Sequence, residues 1–244
     1  MSSRRSFLLK SFSLGLLATG CTPLSGDFGT AIAPGSVAVL GVVQRTGLNI
    51  PVNEYRLAGD LADLLSDNRN YSVMPIELVR QSLGAERHDL LLRRVAHSGS
   101  LDSADLRMLS RVNLPTRMGV LLTITGNEEI KHKAEHIEVH DGQGQLFKDR
   151  EHLVLSTSRT VSLTATLVNL GLQRVRLHND FSYESTERKR YLEYRGSTFS
   201  SSVAARLANT VANGVRKPDW PDAPNVYSSF YELLNDVADE LPIA

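Results

Sequence analysis

Apolar positions along this chain fall into blocks of two kinds, near-continuous and periodic. Val37-Ala38-Val39-Leu40-Gly41-Val42-Val43 is a continuous run rich in β-branched residues, the pattern of a central strand covered on both faces. Leu57, Leu61, Leu64 and Leu65 then recur at helical spacing, with Asn53 placed as N-cap, and Tyr71 to Met74 gives a second short strand that ends at Pro75. Residues 76–112 break into helical segments at Gly84 and at His97-Ser98-Gly99-Ser100, and Asp102 with Asp105 three later opens the last of them. Met118 to Thr125 reads as a strand. Val161, Leu163, Ala165 and Leu167 alternate with Ser162, Thr164 and Thr166, and Val175, Leu177 and Phe181 alternate with Arg174, Arg176 and Asp180, so residues 160–183 predict an antiparallel hairpin turning at Gly171. Residues 200–215 form an amphipathic helix whose stripe of Val203, Leu207 and Val211, with Ala204, Ala208 and Ala212, is expected to pack on the sheet. A last helix carries Val226, Phe230, Leu233, Leu234, Val237 and Leu241. The sum is an α/β (α+β) fold: one compact domain over residues 36–244, a mixed sheet with flanking helices, then an antiparallel hairpin and C-terminal helices.

The first twenty residues do not fit that scheme. Arg4 and Arg5 precede a modest apolar stretch, Phe12 to Ala18, which is followed by small residues and Cys21. Ser3-Arg4-Arg5-Ser6-Phe7-Leu8 resembles the twin-arginine export signal, and the weak hydrophobicity around Gly15 agrees with that route. Ala18-Thr19-Gly20-Cys21 resembles the lipobox of bacterial lipoproteins. That resemblance implies cleavage before Cys21 and a diacylglyceryl group on its thiol, and Thr22 in the next position implies sorting to the outer membrane. Residues 21–35, rich in Gly, Pro, Ser, Thr and Ala, read as a flexible tether. A buried structural thiol is the alternative for Cys21.

Composition narrows the function classes. Lys plus Arg and Asp plus Glu are each 27 among 244 residues, so no net field favours nucleic acid. Loss of residues 1–20 removes three basic residues (Arg4, Arg5 and Lys10) and no acidic ones, leaving the mature domain mildly acidic. Cys21 is the only cysteine, so an internal disulfide and a thiolate zinc site are excluded. No Gly-x-Ser-x-Gly elbow or phosphate-binding glycine loop is present, and Gly142-Gln143-Gly144 reads as a turn. No catalytic residue and no cofactor beyond the lipid on Cys21 is expected.

Three histidines, His132, His136 and His140, recur every fourth position. On a helix they would share one face and hold a metal ion. On a strand, successive ligands would stand about 13 Å apart, too far to converge on one ion. Glu187-Arg188-Lys189-Arg190 beside Tyr183, Tyr191 and Tyr194 would grip an anionic polymer through charge and stacking, or else form a solvated strand edge. Trp220, between Asp219 and Pro221, is either a partner anchor or part of a rigid corner packed on the body.

The order of elements, carried by Ser36 to Val43, Leu57 to Leu65, Tyr71 to Pro75, Gly119 to Gly126 and Leu167-Val168-Asn169-Leu170, resembles a superfamily of periplasmic lipoproteins. Its members include the CsgG-like curli secretion channel, activators of penicillin-binding proteins, an exopolysaccharide-export lipoprotein and the N-terminal domain of TolB. That resemblance implies a lipid-anchored envelope protein facing the periplasm that binds other proteins or itself in a non-enzymatic assembly, without nucleic acid. A periplasmic metal-binding protein or cofactor-carrying enzyme exported folded is one alternative, and an accessory factor for polysaccharide export or cell-wall synthesis another. The segments that would enter the membrane in a curli-type pore, residues 128–150 and 182–199, lack an apolar face: Glu129, Lys131, Lys133 and Glu135 line one side of the first, and His132, His136 and Glu138 the other. A pore is therefore not expected.

Overall fold

Strand β1 (Ser36–Gln44) is buried along all but its last residue, as a continuous apolar run requires when both faces are covered. In the computed structural model, residues 36–69, 71–112, 114–195, 199–213 and 218–242 are described. The expected export signal with Arg4 and Arg5, the lipidated Cys21 and the tether of residues 21–35 lie outside them. The described residues form six helices and a six-stranded mixed sheet that does not close into a barrel.

After β1 come α1 (Glu54–Arg69), β2 (Ser72–Met74), α2 (Ile76–Leu83), α3 (Ala85–Ser98) and α4 (Ser103–Arg111). Then follow β3 (Met118–Lys131), β4 (Glu135–His140), β5 (Leu146–Asn169), β6 (Arg174–Tyr194), α5 (Phe199–Asn213) and α6 (Val226–Glu240). β1 lies between β2 and β3, parallel to both. From β3 onward the pairing is antiparallel: β3 and then β4 run along one edge of β5, and β6 pairs along its other edge from Asn169 to Arg150.

Local chemistry sets the ends of these elements. Asn53 Oδ1 accepts from the Arg56 amide at the start of α1. Asp102 caps α4 by accepting from the Ala104 and Asp105 amides, both at 2.7 Å, while Asp105 reaches back to the Asp102 amide, completing a capping box. Asp105 is itself buried and paired with Arg94 on α3 at 2.5 Å, which ties the two helices together. Asn225 caps α6 through the Tyr227 and Ser228 amides.

Two cores flank the sheet. On one face, α1 and α6 bury Leu57, Leu61, Leu65, Phe230, Leu233, Leu234 and Val237 against Val39, Leu122, Ile124, Leu163 and Leu167. Each such side chain contributes roughly 1.5–3 kcal/mol by leaving water. On the other face, α2, α3 and α4 bury Val79, Leu91, Val95 and Leu109 against Ala38, Leu40, Val43 and Leu121. Gly119 is required here: a Cβ in its place would lie 2.9 Å from the Leu40 side chain.

Two expectations are corrected. The hairpin of residues 160–183 is only the covered part of a longer structure, because β5 starts at Leu146 and β6 runs to Tyr194. In this extension β6 has no buried residue, and β5 is buried on both faces from Leu153 to Ser158, so neither strand alternates while the hydrogen-bond ladder continues. The α5 stripe of Val203, Leu207 and Val211 faces solvent, with Val211 85% exposed. α5 instead lies on β6 through Ala205, Ala208 and Asn209, all half-buried, whose small size allows close approach.

Candidate functional site

Beyond the helix-covered half of the sheet, β4, β5 and β6 continue as a three-stranded ribbon. Every residue of β6 is exposed or half-buried, and no further strand pairs with its outer edge among the described residues. Arg188, Lys189 and Arg190 are all exposed and pair with Ser156, Leu155 and Val154 of β5, which are buried. Two successive β6 faces therefore both present cations to solvent. The next residue, Tyr191, turns inward: its hydroxyl donates to the Asp219 carbonyl at 2.9 Å.

That bond places Trp220 beside the basic run. Thr157 donates to the Pro221 carbonyl at 2.8 Å, and Arg159 Nε donates to the Pro224 carbonyl at 2.6 Å while its Nη1 reaches Asn127 at 2.7 Å. The segment 218–225 is thus strapped across β5, and Trp220 is half-buried in a fixed corner. Of the residues singled out in sequence, Arg188, Lys189, Arg190, Tyr191 and Trp220 are brought into one region, with Tyr191 serving as the clasp.

The three histidines are not brought together. His132 sits in the connection between β3 and β4, where its Nε2 bonds the Ser158 hydroxyl at 2.7 Å. His136 and His140 lie on β4, and His140 pairs with Leu146 at the far end of the ribbon. The segment is turn and strand, so the helix that a three-histidine metal centre needs is not there. His136 has different neighbours: its Nδ1 contacts Glu151 Oε1, Arg195 Nη2 lies 2.5 Å from the same oxygen, and Glu193 completes a group whose ligand atoms all lie within 4.8 Å of one another. Glu151, Glu193 and Arg195 carry no spacing signal in sequence. Carrying the pairing of Leu163 with Phe181 outward by twelve residues would have set Glu151 opposite Glu193.

Several concave regions lie near the covered half. A polar groove of about 410 Å³ is lined by Arg45, Ser100, Thr123, Thr125, His178 and Asp180, beyond the end of β1. Thr164 donates to Asp180 at 2.6 Å and Thr166 bonds His178 at 2.9 Å, so its polar groups are largely engaged with one another. A smaller cavity of about 160 Å³ is lined by Glu54, Tyr55, Arg80 and His88. His88 is buried with Nε2 donating to the Leu40 carbonyl at 2.8 Å, while Nδ1 has no hydrogen-bond partner among the described residues and lies 3.9 Å from Asp89 Oδ1. Burial, and then the hydrogen bond to Glu77, hold the Tyr55 hydroxyl above its ordinary pKa.

No helix among the described residues is long and apolar enough to cross a membrane. No protein-family model matches the chain, and no curated protein matches it. Among solved structures it is similar to lipoprotein GNA1162 from Neisseria meningitidis, at 15% identity and a TM-score of 0.33 over 74% of this chain and 100% of that one. It is also similar to the hypothetical protein CT253 from Chlamydia trachomatis, at 12% identity and a TM-score of 0.38 over 84% and 96% of the two chains. Neither likeness assigns the chain to a family or a task.

Proposed function

We propose that the protein is a lipid-anchored envelope protein, held by Cys21 and facing the periplasm from the outer membrane, that acts as a non-enzymatic binding or assembly factor. The observation that carries the binding role is the ribbon. A long strand, β6, leaves its outer edge without a strand partner from Arg174 to Arg190 and presents the Arg188–Arg190 cations beside the Tyr191–Trp220 corner. Unpaired backbone N–H and C=O groups along such an edge recognise an extended segment of another protein, and the flanking charges select it and deter promiscuous pairing. The anchor rests on the export-signal and lipobox resemblances of residues 1–21, and the order of elements supports kinship with the curli-secretion, TolB and penicillin-binding-protein-activator lipoproteins.

Crosslinking in living cells, followed by identification of the attached proteins, tests the reading, with Cys21→Ser as the mislocalised control. Envelope proteins or further copies of the chain are expected on the wild type and not on the variant. A chain that is strictly monomeric and recovers no protein at all refutes the binding role. Unchanged membrane fractionation of Cys21→Ser refutes the anchor.

A further inference from the structure

On the same ribbon, strand register gathers one imidazole and two carboxylates from three different strands. Glu151 of β5 lies directly opposite Glu193 of β6 and opposite Glu138 of β4, and His136 lies two residues before Glu138 on the same face. His136 is thus a diagonal neighbour of Glu151, within reach of its carboxylate. Their ligand atoms converge to within 4.8 Å of one another. Glu151 is more enclosed than His136, their side chains being 13% and 43% exposed.

The Arg195 guanidinium does not satisfy this group. Arg195 Nη2 is 2.5 Å from Glu151 and 3.3 Å from His136 Nδ1, while the Glu193 carboxylate has neither a hydrogen bond nor an ion pair among the described residues. His136 Nδ1 is also placed between conflicting demands. It must carry a proton to donate to Glu151, and it must be bare to accept from Arg195. A single proton cannot meet both. An ion that accepts a lone pair from Nδ1 and from each carboxylate at once removes the conflict and neutralises both acids.

We propose that His136, Glu151 and Glu193 form a binding site for a divalent transition-metal ion of the zinc class, with Arg195 as the counterion that the metal displaces. One imidazole and two carboxylates suit Zn²⁺, Co²⁺ or Ni²⁺, and three protein ligands leave a fourth position open to water or to a group from a partner. Bonds of about 2.0–2.2 Å set tetrahedral ligand atoms roughly 3.4 Å apart, and the three ligand atoms already lie within 4.8 Å of one another. Arg195, 61% exposed, is free to swing into solvent as the ion enters. The proposal goes beyond the assembly role and does not depend on it.

The test is calorimetric titration of ZnCl₂ into the full chain, purified without a histidine tag. One saturable equivalent of Zn²⁺ is expected. Glu193→Gln and His136→Ala each weaken it at least about 10-fold, whereas His132→Ala and His140→Ala leave it unchanged. Arg195→Gln is the decisive variant: removal of the competing cation tightens binding several-fold, a change that a merely structural arginine would not produce. Absence of a saturable equivalent in the wild type, undiminished affinity in His136→Ala, or weaker binding in Arg195→Gln would each overturn the site. Cellular crosslinks that persist while zinc fails to bind would refute this inference alone.

Discussion

The Asn209 side chain grips both backbone polar groups of Tyr194, accepting from its N–H at 2.6 Å and donating to its C=O at 3.4 Å. A single amide on α5 thereby imitates the next strand of the sheet and closes the end of an otherwise open edge. Replacing Asn209 with Ala should cost about 1 kcal/mol for the lost bonds and loosen α5. Hydrogen exchange checks it: the Tyr194 amide should exchange faster in the variant, and equal rates would show that the contact holds nothing.

Asp102 makes the start of α4 acid-sensitive. Hydrogen bonds from the Asp105 and then the Ala104 amide hold its carboxyl below the ordinary 3.8. The folded value is the lower one, so its stabilising effect is complete above 3.8 and disappears as pH falls through the folded value. Asp105 has the opposite sign, since burial raises its pKa and acid relieves its penalty. Asp102→Asn keeps the cap but removes the charge. Its acid melting curve should be shallower than that of the wild type below 3.8; parallel curves would refute the assignment.

Arg159 strings together β5, Asn127 on β3 and the 218–225 strap. Arg159→Ala should destabilise by about 1.5–3 kcal/mol, the range for hydrogen bonds made by a charged donor. Trp220 is the only tryptophan and sits in that strap, so its emission should shift to longer wavelength as the corner loosens. An unchanged spectrum would mean that the corner holds without the arginine.

The two halves of the sheet should respond differently to substitution. Phe230→Ala, at a fully buried position over β5, is expected to cost about 3–5 kcal/mol. Ile137→Thr, on the solvated ribbon and 44% exposed, should change stability by no more than about 0.5 kcal/mol. Chemical denaturation measures both, and equal costs would contradict the division between core and ribbon.

For the leader, Arg4→Lys combined with Arg5→Lys should leave uncleaved precursor in the cytoplasm. Fractionation and immunoblotting report it, and normal processing of the double variant would exclude the twin-arginine route.

The covered half of this fold was legible because burial writes itself into residue choice. Val37 to Val43 had to be a central strand, Pro75 had to end β2, and Asp102 with Asp105 announced α4. The ribbon was not legible. β4 reads Glu-His-Ile-Glu-Val-His, where Ile137 and Val139 alternate with polar neighbours over only five positions and no side chain is buried. The α5 stripe misled for the converse reason, since periodicity identifies a helix but not which face the rest of the chain will cover. Glu151 and Glu193 meet only through the β5–β6 register, which no local pattern reveals.

β5 belongs to both halves, since its 24 residues pass from the solvated ribbon to the layer beneath α6 without a break. Fully extended, such a strand measures roughly 75 Å, and this makes it a lever arm. The backbone that carries Leu146 at the tip thus continues without a change of element to Leu163 and Leu167 in the interior.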